Sequence, residues 1–552
     1  MTQEREQWDA IVIGSGLGGL ACAAYLCAVG KRTLVLESHH VAGGNSQGFR
    51  RTIRGHAYEF DVGLHYIGEC GPDGLISRIL HGLGLSERVV FRPLDPDGYS
   101  TLLFPHFTFR IPASWDGYRA RLVETFPEEA APLDRVVGIL RQVGDEVRRI
   151  QKGEWSYGDL ATRATAFMQW GLRPVTDLFD AHGLSDRSRA VLLGETGAYA
   201  VPPSRTPVAL QAGFTDHYMR GAFYPEGGGQ VLAGRLSEAI RAYGGQVRTR
   251  SRVSRVRVEK GRVIGVTLAR GGEEIDAPVV VSNADLKRTI FELVGEDHFS
   301  AATLEHVRAY RMALPLFCVY LGLDPALGAN VLPNTNYFIY AGYDIEALYA
   351  TLDAGKIPDE DFVYLTNTTR KDPTSPHLAP EGYTNLQIMT LVPRDYAVWH
   401  VDRGPVDAGN RYHLDQAYRQ RKAELANRLI TAADRVLPGI RDHIDWKEAA
   451  TPVTQERFTR STGGTSYGIE FALDQAGPLR MGPDTEIAGL YLCGASTPSG
   501  HGIGSVLRSG VIAAGTIAET DLLRRVSAGE MFGDRNLLPP LREDWDALRE
   551  CR

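Results

Sequence analysis

The chain has 552 residues, 43% of them apolar, and its 60 basic and 67 acidic side chains leave a net charge of −7. That length exceeds a single ~150-residue module and can bury a sizeable core. With no basic excess and no run of Lys or Arg, nucleic acid is a poor partner. Glycine is abundant, 60 residues, so its placement becomes the question.

Six cysteines (Cys22, Cys27, Cys70, Cys318, Cys493, Cys551) are too few and too dispersed for a disulfide framework, and none forms a CxxC pair. The opening MTQEREQW is charged and lacks a signal-peptide core. No apolar run reaches the ~18 residues of a spanning helix. A cytoplasmic, reducing compartment is expected, with any membrane contact made from one side.

Residues 9–13 are a short apolar run that breaks into Gly14-Ser15-Gly16-Leu17-Gly18-Gly19. Residues 20–29 favour helix, Gly30 can end it, and 33–36 read as a second buried strand closing on Glu37. Strand, glycine turn, helix, strand and acid make one βαβ unit. Residues 99–104 and 107–111 alternate as a hairpin about Pro105 and His106, and Ser114 can cap a helix to residue 126. A charged amphipathic stretch follows over 132–151. Phe167, Met168, Trp170, Leu172 and Phe179 then suggest an inserted helical lobe over 155–220.

The glycine pattern returns at 224–229. A helix over 231–243, a strand at 247–250, a hairpin of 253–258 with 263–268, and a buried strand at 279–281 follow. Strands are expected near 316–321, 362–366 and 384–391, with a long helix over 413–436. A last strand, 490–492, enters a glycine cluster that leads into a helix from Ile503 to about residue 520. The tail from Leu523 is charged, contains proline and is assigned no site. This order predicts an α/β protein. A Rossmann-like domain is assembled from 1–70, 221–300 and 481–522, an α+β domain is inserted as 71–220 and 301–480, and 523–552 is a polar tail.

Gly14-x-Gly16-x-x-Gly19 between strand and helix is the dinucleotide fingerprint in its required context. Its glycines permit the tight turn, the close approach of backbone to a pyrophosphate, and tight helix–strand packing, while the helix N-terminus attracts the phosphates. Glu37 sits where a carboxylate can accept from a ribose hydroxyl and argues against an adenosine 2′-phosphate. Gly43-Gly44-Asn45 is a second turn able to approach a diphosphate or flavin ring, or simply a loop. Residues 60–68 alternate aromatic, small and ionisable groups. There His65 and Tyr66 can orient a substrate or relay a proton, or only hydrogen-bond within a core. The helix start near Ile503, in a run with five glycines from Gly494 to Gly510, can stabilise negative charge on a reduced flavin; His501 faces either ring or solvent. His39, His40, His56 and His65 lack metal-ligand spacing, so no metal is expected. No G-x-S-x-G elbow supports hydrolysis. The cluster at 167–172 either lines a greasy tunnel, touches a bilayer or is plain core.

Together these segments resemble the phytoene desaturase superfamily of flavoproteins, which includes carotenoid desaturases, carotenoid isomerases and retinol saturases. Residues 9–19 with Glu37 resemble its N-terminal FAD motif. Residues 59–68 resemble the segment that follows it in the retinol saturase branch. Residues 224–229, 247–268 and 282–284 resemble the middle segment, and 489–510 the C-terminal signature. The resemblance implies a Rossmann-like FAD-binding domain with non-covalent FAD. Gly14, Gly16 and Gly19 would hold the pyrophosphate, Glu37 the adenosine ribose, and Gly44 and Asn45 the phosphate–flavin region, with Leu17, Gly18, Ser38 and Asn283 also among the cofactor-binding residues. Val253 would use its backbone on the adenine, and Gly494 with the 502–504 turn (Gly502, Ile503) would close over phosphate and isoalloxazine. Asn45 departs from the basic residue that desaturases usually carry there.

The function expected is FAD-dependent oxidation or reduction of carbon–carbon bonds in a long apolar polyene or isoprenoid, with His65 and Tyr66 handling protons. The electron partner is open among a quinone, oxygen and reduced nicotinamide. Peripheral membrane contact is expected from the substrate's insolubility. A redox-neutral isomerase, an FAD amine oxidase and a non-catalytic prenyl-lipid escort are the alternatives.

Overall fold

The computed structural model describes residues 7–327, 332–359, 362–406 and 410–552; the first six residues, part of the charged opening, lie outside them. Five short strands form a parallel sheet in the order Leu490–Leu492, Val280–Ser282, Ala10–Ile13, Thr33–Leu36, Gln246–Arg248. Every pairing in it is parallel, with Ile11 opposite Val280 and Leu34, and Val281 opposite Tyr491. Three strands from far-apart chain segments therefore stand side by side. Such a sheet must be covered on both faces. The helix Leu17–Ala28 lies against one, and eleven of its twelve residues are buried. A sequence of Leu, Ala, Gly and Cys around all sides of a helix is stable only when surrounded by protein.

A three-stranded antiparallel sheet, Val253–Glu259, Arg262–Leu268 and Glu274–Asp276, covers the other face. The larger, seven-stranded sheet runs Ile444–Ala450, Leu316–Leu323, Thr384–Leu391, Val363–Thr366, Asn336–Ile339, Ser100–Leu103, Thr108–Ile111. Its pairs are antiparallel except the parallel pair Asn336–Ile339 with Ser100–Leu103. One face packs on the helix Gln416–Ala433 through Phe317, Leu386, Leu425 and Leu429. The helices Ala130–Gln151, Val175–His182 and Val208–Tyr218 form the lobe between the hairpin Ser100–Ile111 and the middle glycine turn.

The strands Glu274–Asp276, Asn336–Ile339 and Ile444–Ala450 are absent from the sequence reading, and other features depart from it as well. The hairpin of Gly48–Ile53 with His56–Asp61 is absent from it, because Arg50 and Arg51 break the apolar alternation. Tertiary ion pairs compensate those charges: Arg50 with Glu59 and Asp546, and Arg51 with Glu448. The segment read as a polar tail packs closely. Leu538, Ala547, Leu548 and Cys551 are buried. Trp545 lies 3.6 Å under the Arg235 guanidinium, and the Cys551 carbonyl accepts from the Ala42 N–H at 2.8 Å.

Candidate active site

A cavity of about 840 Å³ starts at the carboxyl ends of the parallel strands and runs into the helical lobe. Of the residues expected to bind a nucleotide, all but Gly19 line it: Gly14, Gly16, Leu17, Gly18, Glu37, Ser38, Gly44, Asn45, Val253, Asn283, Gly494, Gly502 and Ile503. Gly19 faces the sheet instead. A Cβ there would stand 2.3 Å from the Gly14 carbonyl oxygen and 3.1 Å from Val12 Cγ1, so helix and strand approach as they do only because it has none.

Asn283 ties the separate segments together. A Cβ on Gly16, Gly18 or Gly494 would meet its side-chain amide at 2.7, 2.8 and 2.4 Å respectively. Gly494 also has φ +90°, a conformation that favours glycine. The helix Ile503–Ile517 crosses the helix Leu17–Ala28 at Gly510, where a Cβ would lie 2.2 Å from the Gly18 carbonyl. The two helices thus bring their N-termini to one wall of the cavity, offering free N–H groups to an anion.

At the nucleotide end the Glu37 Oε2 accepts from the Ser15 N–H and hydroxyl at 2.9 and 2.6 Å. Its Oε1 accepts from the His39 N–H at 2.7 Å and from the Ser38 hydroxyl at 3.2 Å. The Ser251 N–H donates to the Glu37 carbonyl at 2.7 Å, fastening the strand that begins at Val253 beside it. Asn45 spends its amide on the chain: Nδ2 donates to the Ser466 carbonyl at 3.0 Å, and Oδ1 accepts from Gln455 at 2.6 Å. The side chain that replaces the expected base therefore pins the 455–466 segment over the cavity.

Deeper in, His65 and His501 line the cavity, and Nδ1 of each is buried without a hydrogen-bond partner among the described residues. Burial pushes both imidazoles down to about 3, helped by Lys371 near His65 and by Arg480 near His501; both are neutral at physiological pH. Tyr66 lies beside His65, but its hydroxyl donates to Glu195 at 2.9 Å and its ring stacks on Tyr218 at 4.5 Å. Glu195 also accepts from Tyr99 at 2.9 Å and Ser100 at 2.7 Å. The phenol that the sequence pairs with His65 for proton handling is thus committed to a buried carboxyl, itself raised by desolvation.

Sequence reasoning missed Lys371, the residue that holds the His65 loop. Its buried Nζ donates to the His65 carbonyl, to Asn336 Oδ1 at 2.6 Å and to Thr366 Oγ1 at 2.5 Å. Burial lowers Lys371 to about 7 and raises Asp61 to about 7. A lone lysine some 300 residues from His65 carries no sequence signal.

The cradle suits a flat nucleotide cofactor. At Gly502, φ +92°, nothing lies within 4 Å of where a Cβ would stand. The buried imidazole nitrogens of His65 and His501 supply polar edges to the same cavity. A family model described as flavin containing amine oxidoreductase matches residues 17–518. The chain belongs to that family. It is a flavin-dependent oxidoreductase, and within the family it falls with the phytoene desaturase-like proteins. All-trans-retinol 13,14-reductase of Danio rerio is 28% identical over 522 residues, 89% of this chain and 82% of that protein. Phytoene desaturase (neurosporene-forming) of Cereibacter sphaeroides is 28% identical over 548 residues, 94% of this chain and 96% of that one. Among solved structures, cyclohexylamine oxidase from Brevibacterium oxydans superposes with a TM-score of 0.58 at 17% identity, covering 93% of this chain and 99% of that one. That likeness establishes the shared fold of the family.

Proposed function

We propose that the flavin is FAD and that the enzyme exchanges hydride with a carbon of a long apolar polyene or isoprenoid. The observation that carries this reading is the continuity of the cavity. From the glycine turns it passes without a wall into a wing lined by Leu75, Val147, Ile150, Phe167, Leu210 and Phe214. The similarity to enzymes named for retinol and phytoene supports the same substrate class.

When bound, the flavin would supply hydride acceptance or donation at N5. Glu37 would take the ribose hydroxyls, and Val253 would meet the adenine through its backbone. The N-termini at Leu17 and Ile503, with Arg252 and Arg460 on the cavity wall, would neutralise the diphosphate. The apolar wing excludes water from the reacting carbon. Neutral His65 and His501 would each hold or release a proton at Nδ1. Tyr66 could exchange its proton only by way of Glu195, which makes His65 the nearer catalytic group.

Apart from Glu37 at the nucleotide end, the carboxylates on the cavity wall are already engaged, which disfavours an amine cation as substrate. Glu69 pairs with Arg220, Glu292 with Arg288, and Asp285 accepts from Thr462. The cavity mouth supports contact with a lipid surface. Leu172 lines it and is 72% exposed, next to Met168 at 57%. Among the described residues no helix is long and apolar enough to cross a membrane.

The test is anaerobic incubation of the purified flavoprotein with a polyene, with and without reductant. Product mass lower by two, higher by two or unchanged separates desaturation, saturation and isomerisation. Protein that neither carries nor takes up FAD ends this reading. Liposome co-sedimentation of the parent and of Leu172→Glu checks the membrane contact.

A further inference from the structure

His217 places a polar ring in the apolar wing. The helix Val208–Tyr218 turns Ala209, Leu210, Gly213, Phe214 and His217 toward the cavity, the i, i+1, i+4, i+5, i+8 spacing of one helical face. Four of these are apolar or small, and the fifth is an imidazole. Its surroundings fix its tautomer. The Gly68 N–H donates to His217 Nε2 at 2.8 Å, so Nε2 is the unprotonated nitrogen and the proton of the neutral ring sits on Nδ1. Burial lowers the ring's basicity, so it stays neutral. Among the described residues no protein group accepts from Nδ1. The close approach of the two segments depends on Gly68 having no side chain, since a Cβ there would fall 2.0 Å from the His217 carbonyl oxygen.

The imidazole is also close to the flavin side. Its Cε1, the atom next to Nδ1, lies 3.8 Å from where a Cβ of Gly504 would stand, in the first turn of the helix Ile503–Ile517. A bare hydrocarbon in this wing would bury a donor with nothing to accept from it. The neighbourhood further selects among oxygen groups. The Glu69 and Asp216 carboxylates both lie close enough to His217 to raise its proton affinity, while the one Arg220 guanidinium that pairs with both of them lowers it, so the field at the ring is weighted toward negative charge. A further carboxylate would be repelled, whereas an uncharged hydroxyl or carbonyl would not.

We infer that His217 is a specificity-determining residue that donates from Nδ1 to an uncharged oxygen on the substrate, so that the enzyme prefers a polyene alcohol or aldehyde to a hydrocarbon of the same length. This rests on the polyene reading given above and narrows it to an oxygen-bearing chain.

The experiment titrates the FAD-loaded enzyme with three probes of matched length: retinol, the hydrocarbon in which its CH2OH is replaced by CH3, and retinoic acid. Binding is followed by quenching of protein fluorescence. The parent should bind retinol about five- to tenfold more tightly than the hydrocarbon, the ratio expected for one net hydrogen bond, and more tightly than the acid. His217→Phe should bind the hydrocarbon at least as well as the parent and show no preference for retinol. His217→Gln, which can accept from Gly68 through Oε1 and donate through Nε2, should keep the preference. An unchanged flavin spectrum in both variants shows that the fold is intact. Equal binding of retinol and hydrocarbon by the parent, or a preference that survives in His217→Phe, overturns the inference while leaving the polyene reading standing. If none of the three probes binds, the polyene reading fails and the inference falls with it.

Discussion

Gly16→Ala isolates one contact on which the nucleotide cradle depends. Gly16 has φ −58° and ψ 159°, a conformation open to any L-residue, so backbone strain is not the obstacle. Among the described residues, its chain neighbours aside, the atoms within 4 Å of the new Cβ belong to Asn283, with Nδ2 at 2.7 Å and Cγ at 3.9 Å. Nδ2 is thus closer by about 1 Å than a relaxed heavy-atom contact, and overpacking of this kind costs about 1–3 kcal/mol. Asn283→Ala alone gives up a long bond to the Gly14 carbonyl, 3.5 Å, and a weak one accepted from the Cys493 thiol at 3.6 Å, and leaves a small space, about 1 kcal/mol together. In the double variant the methyl group enters the vacated space, so the combined cost should fall short of the sum by about 1–2 kcal/mol. Urea titration followed by flavin release and by circular dichroism measures all four proteins. Gly16→Ala should release flavin at lower urea, with about tenfold weaker affinity per 1.4 kcal/mol lost, and Asn283→Ala should restore much of the difference. A penalty for Gly16→Ala that is the same with and without Asn283 would refute the reasoning.

Two further outcomes follow from the buried ionisable groups. His65 and His501 titrate at about 3 in the folded protein against about 6.5 unfolded. The unfolded chain therefore binds more protons between those values, and stability falls as pH drops from about 6.5 toward 3, by up to about 1.4 kcal/mol per pH unit for each ring. His65→Leu and His501→Leu should each flatten the acid limb of a melting-temperature profile recorded from pH 8 to pH 5; parallel profiles would contradict the assignment. Lys371→Met preserves volume but leaves the His65 carbonyl, Asn336 and Thr366 without their shared donor, at about 2–4 kcal/mol. Hydrogen exchange at residues 62–68 should quicken, and a loss under about 1 kcal/mol with unchanged exchange would show that Lys371 does not hold that loop.

Local patterns determined a good deal by themselves. The first βαβ unit, Ala10–Ile13 to Glu37, is legible because its strand, turn and helix signals are contiguous and each is satisfied within about thirty residues. The hairpin Ser100–Ile111, the helix capped by Ser114 and the strand Leu490–Leu492 leading into Gly494 were readable for the same reason. Tertiary structure decided what no spacing encodes. Gly16, Gly18 and Gly494 are small because one amide, on Asn283, occupies the space their side chains would take. Tyr66 is committed to Glu195, 129 residues away, and His65 is held by Lys371, 306 residues away. The tautomer of His217 is set by the backbone N–H of Gly68, 149 residues away. Burial and hydrogen-bond partnership are properties of three-dimensional proximity, so the chemistry of these groups exists only once the chain has folded.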